Sequence, residues 1–159
     1  MMKGKIEVYT DGACSYNPGP GGWAAIVDID DEVHIVKNYC INTTNNRMEL
    51  TAVIEALKYL RGIGKENEEI KLVSDSSYVI NAINKKWIEG WLFNGWKNSK
   101  GYNIKNKDLW LKFIDERKNF SNIKFEWCKG HVGNPLNEAA DTEAVSMVAV
   151  AVERSGVLQ

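Results

Sequence analysis

The order of apolar segments along this 159-residue chain predicts an α/β fold, in which helices cover a mixed β-sheet. Three strand-like segments come first with no helix between them, which favours antiparallel pairing. Later strand-like segments are separated by helical patterns, which favours parallel pairing. No linker, repeat or low-complexity tract divides the chain, and 44% hydrophobic residues suffice for one buried core. We therefore expect a single domain over residues 1–159, with its core within residues 5–150.

The first half of the chain has the pattern of three strands and a helix. Residues 5–13, 22–29 and 33–41 are predicted as strands. A Gly/Pro-rich loop over residues 17–22 precedes the second strand, and a turn at Asp30-Asp31 makes a hairpin with the third. In the helix that follows, which ends near Gly62-Ile63-Gly64, apolar residues recur at helical spacing: Leu50, Val53, Ile54, Leu57 and Leu60.

Helices and strands alternate in the second half. Strands are predicted at residues 69–74 and 122–128, and short helices at residues 87–93 and 107–118. Ser76 or Ser77 can cap a helix that ends near Lys85. Asn134 can cap a final helix with Pro135 in its first turn. The longest apolar stretch, residues 144–152, is far shorter than the ~20 residues that cross a bilayer, so it is predicted to be the buried part of that helix.

Four carboxylates fall where predicted elements start or stop. Asp11 and Asp75 end apolar strands, Glu49 lies beside the apolar stripe of the first long helix, and Asp141 belongs to the last helix. Carboxylates near a core repel one another and lose hydration unless a cation neutralises them. Oxygen ligands without a Cys/His set indicate Mg²⁺ or Mn²⁺. On spacing alone, four ordinary surface acids are an equally good interpretation.

Charge and cysteine content narrow the class of protein. The net charge of −1 gives no overall attraction to nucleic acid, but residues 85–107 contain six lysines and one acid, so this stretch carries +5. Such a patch can face phosphates, although a solvated lysine face is the alternative. Three widely spaced cysteines without a CxxC pair argue against a disulfide framework or a zinc site. They fit a reducing cytoplasm, and the N-terminus lacks the apolar region of a signal peptide.

Six segments in the same order resemble the type 1, bacterial-type ribonucleases H. They are TDGAC at residues 10–14, NPGPGGW at 17–23, TTNNRME at 43–49, SDSSYV at 74–79, WCKGH at 127–131 and NEAAD at 137–141. One such motif would be weak evidence, whereas six in order are highly specific. The resemblance implies a five-stranded sheet of order 3-2-1-4-5. It also implies an endonuclease that hydrolyses the RNA strand of RNA–DNA hybrids and leaves 3′-hydroxyl and 5′-phosphate ends.

By this resemblance the four carboxylates hold two Mg²⁺ ions, with Mn²⁺ as a substitute. Asp11 would bridge both ions, Glu49 and Asp75 would bind one, and Asp141 would bind the other. Two such ions can activate a water and stabilise the leaving oxygen of a phosphodiester. His131 would be an auxiliary catalytic residue that places or deprotonates water or assists product release, although a lone loop histidine is often inert.

The resemblance also implies how a hybrid duplex is held by a monomer with no membrane partner. Asn17, Asn45 and Asn46 would contact the 2′-hydroxyls of the RNA strand across the minor groove, although turn formation and helix capping are alternative roles. Thr44 and Arg47 would contact backbone phosphate. The remaining predicted contacts are Ser77, Trp87, Lys85, Lys86, Lys97 and Lys100, most of them in a protrusion that grips the DNA strand.

Three departures from the family pattern concern affinity and stability rather than catalysis. Residues 91–96 are apolar where many relatives are basic, and Ser77 replaces a common Gln. After Asp141 the chain is rich in Ala and Val instead of charged residues.

Two other classes of protein stay open at this stage. A non-catalytic hybrid-binding module would keep the groove contacts but has no need of four carboxylates. An integrase, resolvase or exonuclease would share the architecture. In proofreading exonucleases, however, the histidine typically lies four or five residues before the last Asp, and here the gap between His131 and Asp141 is ten residues.

Overall fold

A computed structural model describes residues 5–130 and 133–156. The described residues form one five-stranded sheet with helices on both faces. The strands are β1 Ile6–Cys14, β2 Gly19–Ile29, β3 Glu32–Thr43, β4 Ile70–Ser74 and β5 Ile123–Trp127. The helices are α1 Asn45–Gly62, α2 Ser77–Asn84, α3 Trp87–Phe93, α4 Lys107–Arg117 and α5 Pro135–Ser155. None of these helices combines the length and apolarity that crossing a bilayer would need.

The order of strands in the sheet is β3-β2-β1-β4-β5, which confirms the expected mixed sheet. The β1–β2 and β2–β3 pairs are antiparallel, and the β1–β4 and β4–β5 pairs are parallel. Asp30 and Asp31 both have positive φ, as a two-residue hairpin turn between right-twisted strands requires. Because Thr10 pairs with Ser74, the residues that follow them, Asp11 and Asp75, are brought to one edge of the sheet.

The glycine-rich segment before Trp23 differs from its prediction. Residues 19–21 were predicted as part of a loop, but they belong to β2. Gly21 pairs with Cys14 on one side and with Cys40 on the other, and the register shifts between Gly19 and Gly21. Glycine is disfavoured in strands, so only pairing on both sides, which the local sequence does not reveal, makes this segment a strand.

The two faces of the sheet carry separate cores. On one face α1 covers β1 and β2, with apolar side chains such as Val8, Leu50 and Leu57 in the main cluster. On the other face α5 places Ala140 against Tyr9 and Ile26. The catalytic candidates on α1 and α5 are therefore carried by helices that pack on β1 from opposite faces of the sheet.

The last helix is only partly buried along its Ala/Val-rich stretch. Ala144, Ala151 and Val152 are buried as predicted, but Val145 is exposed. A Cβ added to Gly22 would lie 2.5 Å from Cβ of Met147 and 2.7 Å from the carbonyl oxygen of Ala144. The absence of a side chain at Gly22 thus lets α5 approach β2 closely.

Candidate active site

Three of the four predicted carboxylates converge at the sheet edge. Asp11, Glu49 and Asp75 each offer one oxygen atom, and these atoms all lie within 4.8 Å of one another. Asp141 extends the group, since its side chain contacts the carboxyl of Asp11. The residues come from β1, α1, the end of β4 and α5, so tertiary structure assembles what the sequence keeps far apart.

Burial and mutual repulsion oppose ionisation in this cluster. The side chain of Asp11 is 5% exposed. Burial, followed by the negative charge of Asp75 and the contact with Asp141, raises the pKa of Asp11 to about 7. Burial and then the charge of Asp11 raise the pKa of Glu49 well above its usual range. Within the described residues, Oε2 of Glu49 is buried without a hydrogen-bond partner. A buried carboxylate oxygen without a hydrogen-bond partner is suited to bind a cation.

Two glycines leave room for the carboxylate cluster because a side chain at either position would collide with a neighbouring segment. A Cβ on Gly12 would collide with the backbone of α1 at Met48 and Glu49. A Cβ on Gly130 would lie 2.8 Å from Oδ2 of Asp75. Sequence reasoning did not single out either residue, although both lie within the quoted motifs beside a predicted catalytic residue. Both positions require glycine because two chain segments approach closely there, and the sequence alone does not show which segments approach each other.

Several predicted substrate contacts surround a cavity of about 370 Å³ beside the carboxylates. Its lining includes Asn45, Asn46 and Ser77 together with Glu49 and Asp75. Next to this cavity, the backbone N–H of Asn45 donates to Oδ1 of Asn17 at 3.2 Å, and Thr44 caps α1 by accepting from the N–H of Arg47 at the same distance.

Arg47 is turned toward α4. Its guanidinium donates to both carboxylate oxygens of Asp108, at 3.0 and 2.7 Å, and to Oδ1 of Asn106 at 3.3 Å. These bonds tie the start of α1 to α4 and hold the pKa of Asp108 down to about 2. Contact between Arg47 and substrate phosphate stays a prediction.

The lysine-rich stretch lies apart from the cavity. Lys85, Lys86, Lys97 and Lys100 are exposed, and Lys86 has a positive φ at the start of α3. Trp87 is 40% exposed, whereas Trp96 is buried and packs 6.0 Å from the half-buried ring of Trp91. The tryptophans therefore divide between packing and surface. Phe93 is 89% exposed.

His131 lies outside the described residues, so its predicted role is not placed by the geometry. The preceding residue, Gly130, contacts Asp75 as described above, and Gly133 resumes the described chain with a positive φ. All three cysteines are free thiols.

Comparison with known proteins decides the family. The sequence model of the RNase H family matches residues 3–149. The chain belongs to the ribonuclease H family. Ribonuclease H of Syntrophomonas wolfei is 50% identical over 138 residues, covering 86% of this chain and 91% of that protein. Ribonuclease H of Caldicellulosiruptor saccharolyticus is 46% identical over 144 residues, covering 91% of this chain and 96% of that protein.

Solved ribonuclease H structures share the fold. LC9-RNase H1, described as a type 1 RNase H with the type 2 active-site motif, has a TM-score of 0.81 at 28% identity. The match covers 95% of this chain and 75% of that one. LC11-RNase H1, solved in complex with an RNA/DNA hybrid, has a TM-score of 0.67 at 24% identity and covers 92% of this chain and 99% of that one.

Proposed function

We propose that this protein is an endonuclease that hydrolyses the RNA strand of RNA–DNA hybrids, leaving 3′-hydroxyl and 5′-phosphate ends. Membership of the ribonuclease H family supports the reaction class. The observation that carries the site assignment is the convergence of Asp11, Glu49 and Asp75 at the edge where β1 and β4 are adjacent.

The described residues supply little positive charge to Asp11 and Glu49, so an external cation would neutralise them. Among the described residues, no Lys or Arg forms an ion pair with Asp11 or Glu49. Buried acids without a counter-charge favour protonation, which would remove them as ligands. A divalent ion reverses this preference because its charge stabilises the carboxylate form. The all-oxygen donor set favours Mg²⁺, with Mn²⁺ as a substitute.

Asp11, Glu49, Asp75 and Asp141 would together hold two ions. When bound, such ions supply an activated water and charge stabilisation for the leaving oxygen. Asp11 is suited to the shared position because it contacts Glu49 and Asp141 and is affected by the charge of Asp75. The role of His131 in placing or deprotonating water, or in product release, is part of this proposal.

The cavity beside the carboxylates would select the strand that is cut. Asn45, Asn46 and Ser77 line it, and Asn17 is bonded to the backbone of Asn45. Their amide and hydroxyl groups can donate to and accept from a 2′-hydroxyl, which DNA lacks. A strand with 2′-hydroxyls in this cavity would have its phosphates beside Glu49 and Asp75, which also line the cavity. Thr44 and Arg47 would contribute phosphate contacts at the start of α1.

The exposed lysines would hold the second strand of the duplex. Lys85, Lys86, Lys97 and Lys100 would contact its phosphates, and Trp87 would contact its sugars or groove. Since residues 85–107 carry a local net charge of +5, this stretch can bind the phosphates of the DNA strand while the carboxylate cluster remains acidic. We also propose that the protein acts as a monomer in the cytoplasm, where its three free thiols would stay reduced.

A direct substrate comparison tests this function. End-labelled RNA–DNA hybrid, double-stranded RNA, double-stranded DNA and each single strand are incubated with the protein and Mg²⁺. We expect cleavage of the RNA in the hybrid alone, with 5′-phosphate on the downstream fragments, and none when the ion is chelated. Binding of the hybrid without cleavage at any concentration of Mg²⁺ or Mn²⁺ would favour the non-catalytic module. Cleavage of DNA in any form would favour an integrase, resolvase or exonuclease.

A further inference from the structure

The first residue before α5 makes two kinds of contact with one side chain. Oδ1 of Asn134 accepts hydrogen bonds from the backbone N–H groups of Leu136 at 3.0 Å and Asn137 at 3.2 Å, which caps the helix. At the same time, Nδ2 of Asn134 donates to the hydroxyl of Tyr9 at 3.3 Å. Capping alone needs only an acceptor. The second bond therefore ties the start of α5 to strand β1.

Tyr9 is held in a fixed orientation by a further bond. Its ring is buried against Ala140 of α5, and its hydroxyl donates to Oε2 of Glu7 at 2.9 Å. Glu7 is in turn held by Lys5 at 3.0 Å. With its proton directed at Glu7, the hydroxyl presents lone pairs to the amide of Asn134. Tyr9 also lies two residues before Asp11 in the same strand, so the anchor for α5 and the central carboxylate share one rigid element.

A second contact fixes α5 on the other side of Asp141. The carbonyl oxygen of Ala144 and the N–H of Val148 pack against Gly22 of β2 so closely that a Cβ would lie 2.7 Å from each. Asp141 thus lies between an anchor at Asn134 and an anchor at Ala144. A helix advances about 1.5 Å per residue as a nearly rigid rod, so a shift of its start along β1 moves Asp141 relative to Asp11.

We propose that Asn134 is a positioning residue for the metal site: by capping α5 and donating to Tyr9, it sets the position of Asp141 relative to Asp11. This inference rests on the proposed role of Asp141 as a metal ligand. The affected quantity is the ion concentration needed to fill the site, because ligand spacing determines affinity and groups that orient ligands act on it indirectly.

Two substitutions remove the hydrogen bond between Asn134 and Tyr9 (the tie) while keeping a cap for α5. Asn134→Ser keeps an acceptor for the helix N–H groups but has no amide and cannot reach Tyr9. Tyr9→Phe keeps the ring and removes only the hydroxyl. Tyr59→Phe is the matched control, since Tyr59 is a half-buried tyrosine of α1 that packs against the main core. For each variant, the midpoint of thermal stabilisation by Mg²⁺ and by Mn²⁺ is measured, together with kcat and the KM for hybrid.

We expect Asn134→Ser and Tyr9→Phe each to raise the ion midpoint by about 3- to 10-fold, below or at the lower end of the ~10–100-fold range for groups that orient ligands. The KM for hybrid should stay unchanged, as should the midpoint of Tyr59→Phe. Combining either change with Asp141→Asn should produce no further rise in the midpoint, because the tie acts through Asp141.

Three results would overturn the proposal in distinguishable ways. A lower melting temperature without ions, with an unchanged ion midpoint, would show that Asn134 is only a helix cap. A rise in midpoint that persists in the Asp141→Asn background would show that the tie acts on another ligand. If Asp141→Asn itself left the midpoint unchanged, the assignment of Asp141 as a ligand would fail, and the positioning role would fail with it.

Discussion

Asp11 and Asp108 carry the same carboxyl group in two regions with opposite electrostatics. Burial, followed by the nearby acids, raises the pKa of Asp11 to about 7. Hydrogen bonds from Arg47 lower the pKa of Asp108 to about 2. Within residues 5–130 and 133–156, no Lys or Arg forms an ion pair with Asp11, whereas Asp108 has a bidentate ion pair at 3.0 and 2.7 Å. Arg47 therefore neutralises Asp108 within the chain, whereas the proposed divalent ion would neutralise the cluster around Asp11.

The start of α1 shows how this division is arranged. Arg47 and Glu49 are two residues apart on the helix, and a helix places such residues on different faces. Glu49 faces the cluster around Asp11, while the guanidinium of Arg47 donates to Asp108 and Asn106. A guanidinium turned toward Glu49 would neutralise the cluster and compete with a divalent ion. Because the two side chains lie on different faces of α1, the guanidinium of Arg47 is kept away from the carboxylate cluster.

The largest expected effect follows from removing the central charge. Asp11→Asn should lower hybrid cleavage by on the order of 10³-fold or more, since metal-ion stabilisation is worth several kcal/mol and each ~1.4 kcal/mol is tenfold. Without ions, the same variant should melt at a higher temperature, because it relieves burial of a charge and repulsion among acids. Cleavage rates in a Mg²⁺ titration and melting curves in chelator measure both. Turnover near that of the unsubstituted protein at ordinary Mg²⁺ would refute the bridging role.

Asp108→Asn is the matched control for that experiment. It makes the same chemical change at the compensated acid, so cleavage should stay within a few-fold of the parent, and stability without ions should fall slightly rather than rise. A rise in stability for Asp11→Asn and a fall for Asp108→Asn would support the opposite electrostatics of the two sites. Equal changes of either sign would mean that overall charge, rather than local compensation, governs both sites.

A smaller loss of activity is expected at the histidine. His131→Ala should lower turnover within or below the ~10²–10⁴-fold range of general acid–base assistance, with hybrid affinity nearly unchanged. Asp141→Asn, measured in the same metal titration, removes a ligand, so added ion should partly restore its activity. The His131 variant should show no such recovery. Equal rescue of both variants would show that His131 acts through ion binding.

Local chemistry made much of the fold and site predictable. The predicted caps at Ser76 and Asn134 are present, because such helix starts depend on side chains a few residues away. Helix α3 also has its predicted bounds, although no side chain caps its start. Collinear motifs supplied the strand order. The convergence of Asp11, Glu49 and Asp75 follows from that order.

Long-range contacts were not predictable in the same way. The bond between Asn134 and Tyr9 joins residues 125 positions apart, and the pair formed by Arg47 with Asp108 spans 61. Several partners of suitable chemistry exist for each side chain, and only the packed fold selects one. For the same reason, the sequence predicted neither the closeness of Gly12 to α1 nor the strand structure of the glycine-rich segment at the start of β2.

The exposed lysines should affect the affinity for hybrid rather than the rate of cleavage. A variant with four alanines should bind hybrid at least about tenfold more weakly, and the slope of log affinity against log salt should fall by up to about 4. The changed residues are Lys85, Lys86, Lys97 and Lys100. Turnover at saturating hybrid should change little. An unchanged affinity with a large loss of turnover would place these lysines near the chemistry.

A control with equal charge change sharpens this test. It replaces four lysines in or next to α1 and α4, namely Lys58, Lys65, Lys112 and Lys118. If this variant lost as much affinity as the first, the overall charge of the protein, and not the stretch at residues 85–107, would be responsible.

The smallest expected effect is the pH dependence that distinguishes Asp108 from Asp11 without ions. The lowered pKa of Asp108 stabilises the fold above its ordinary pKa near 3.8, and this is lost as the pH falls toward about 2. Because the pair is largely exposed, Asp108→Asn should cost about 0.5–1 kcal/mol at neutral pH and little near pH 2. The raised pKa of Asp11 acts in the opposite sense, so its favourable contribution is lost as the pH rises from about 4 to about 7. Urea unfolding of the parent and of both Asn variants across this range gives the two slopes as differences between parent and variant. Slopes of the same sign would contradict the opposite electrostatics assigned to Asp108 and Asp11.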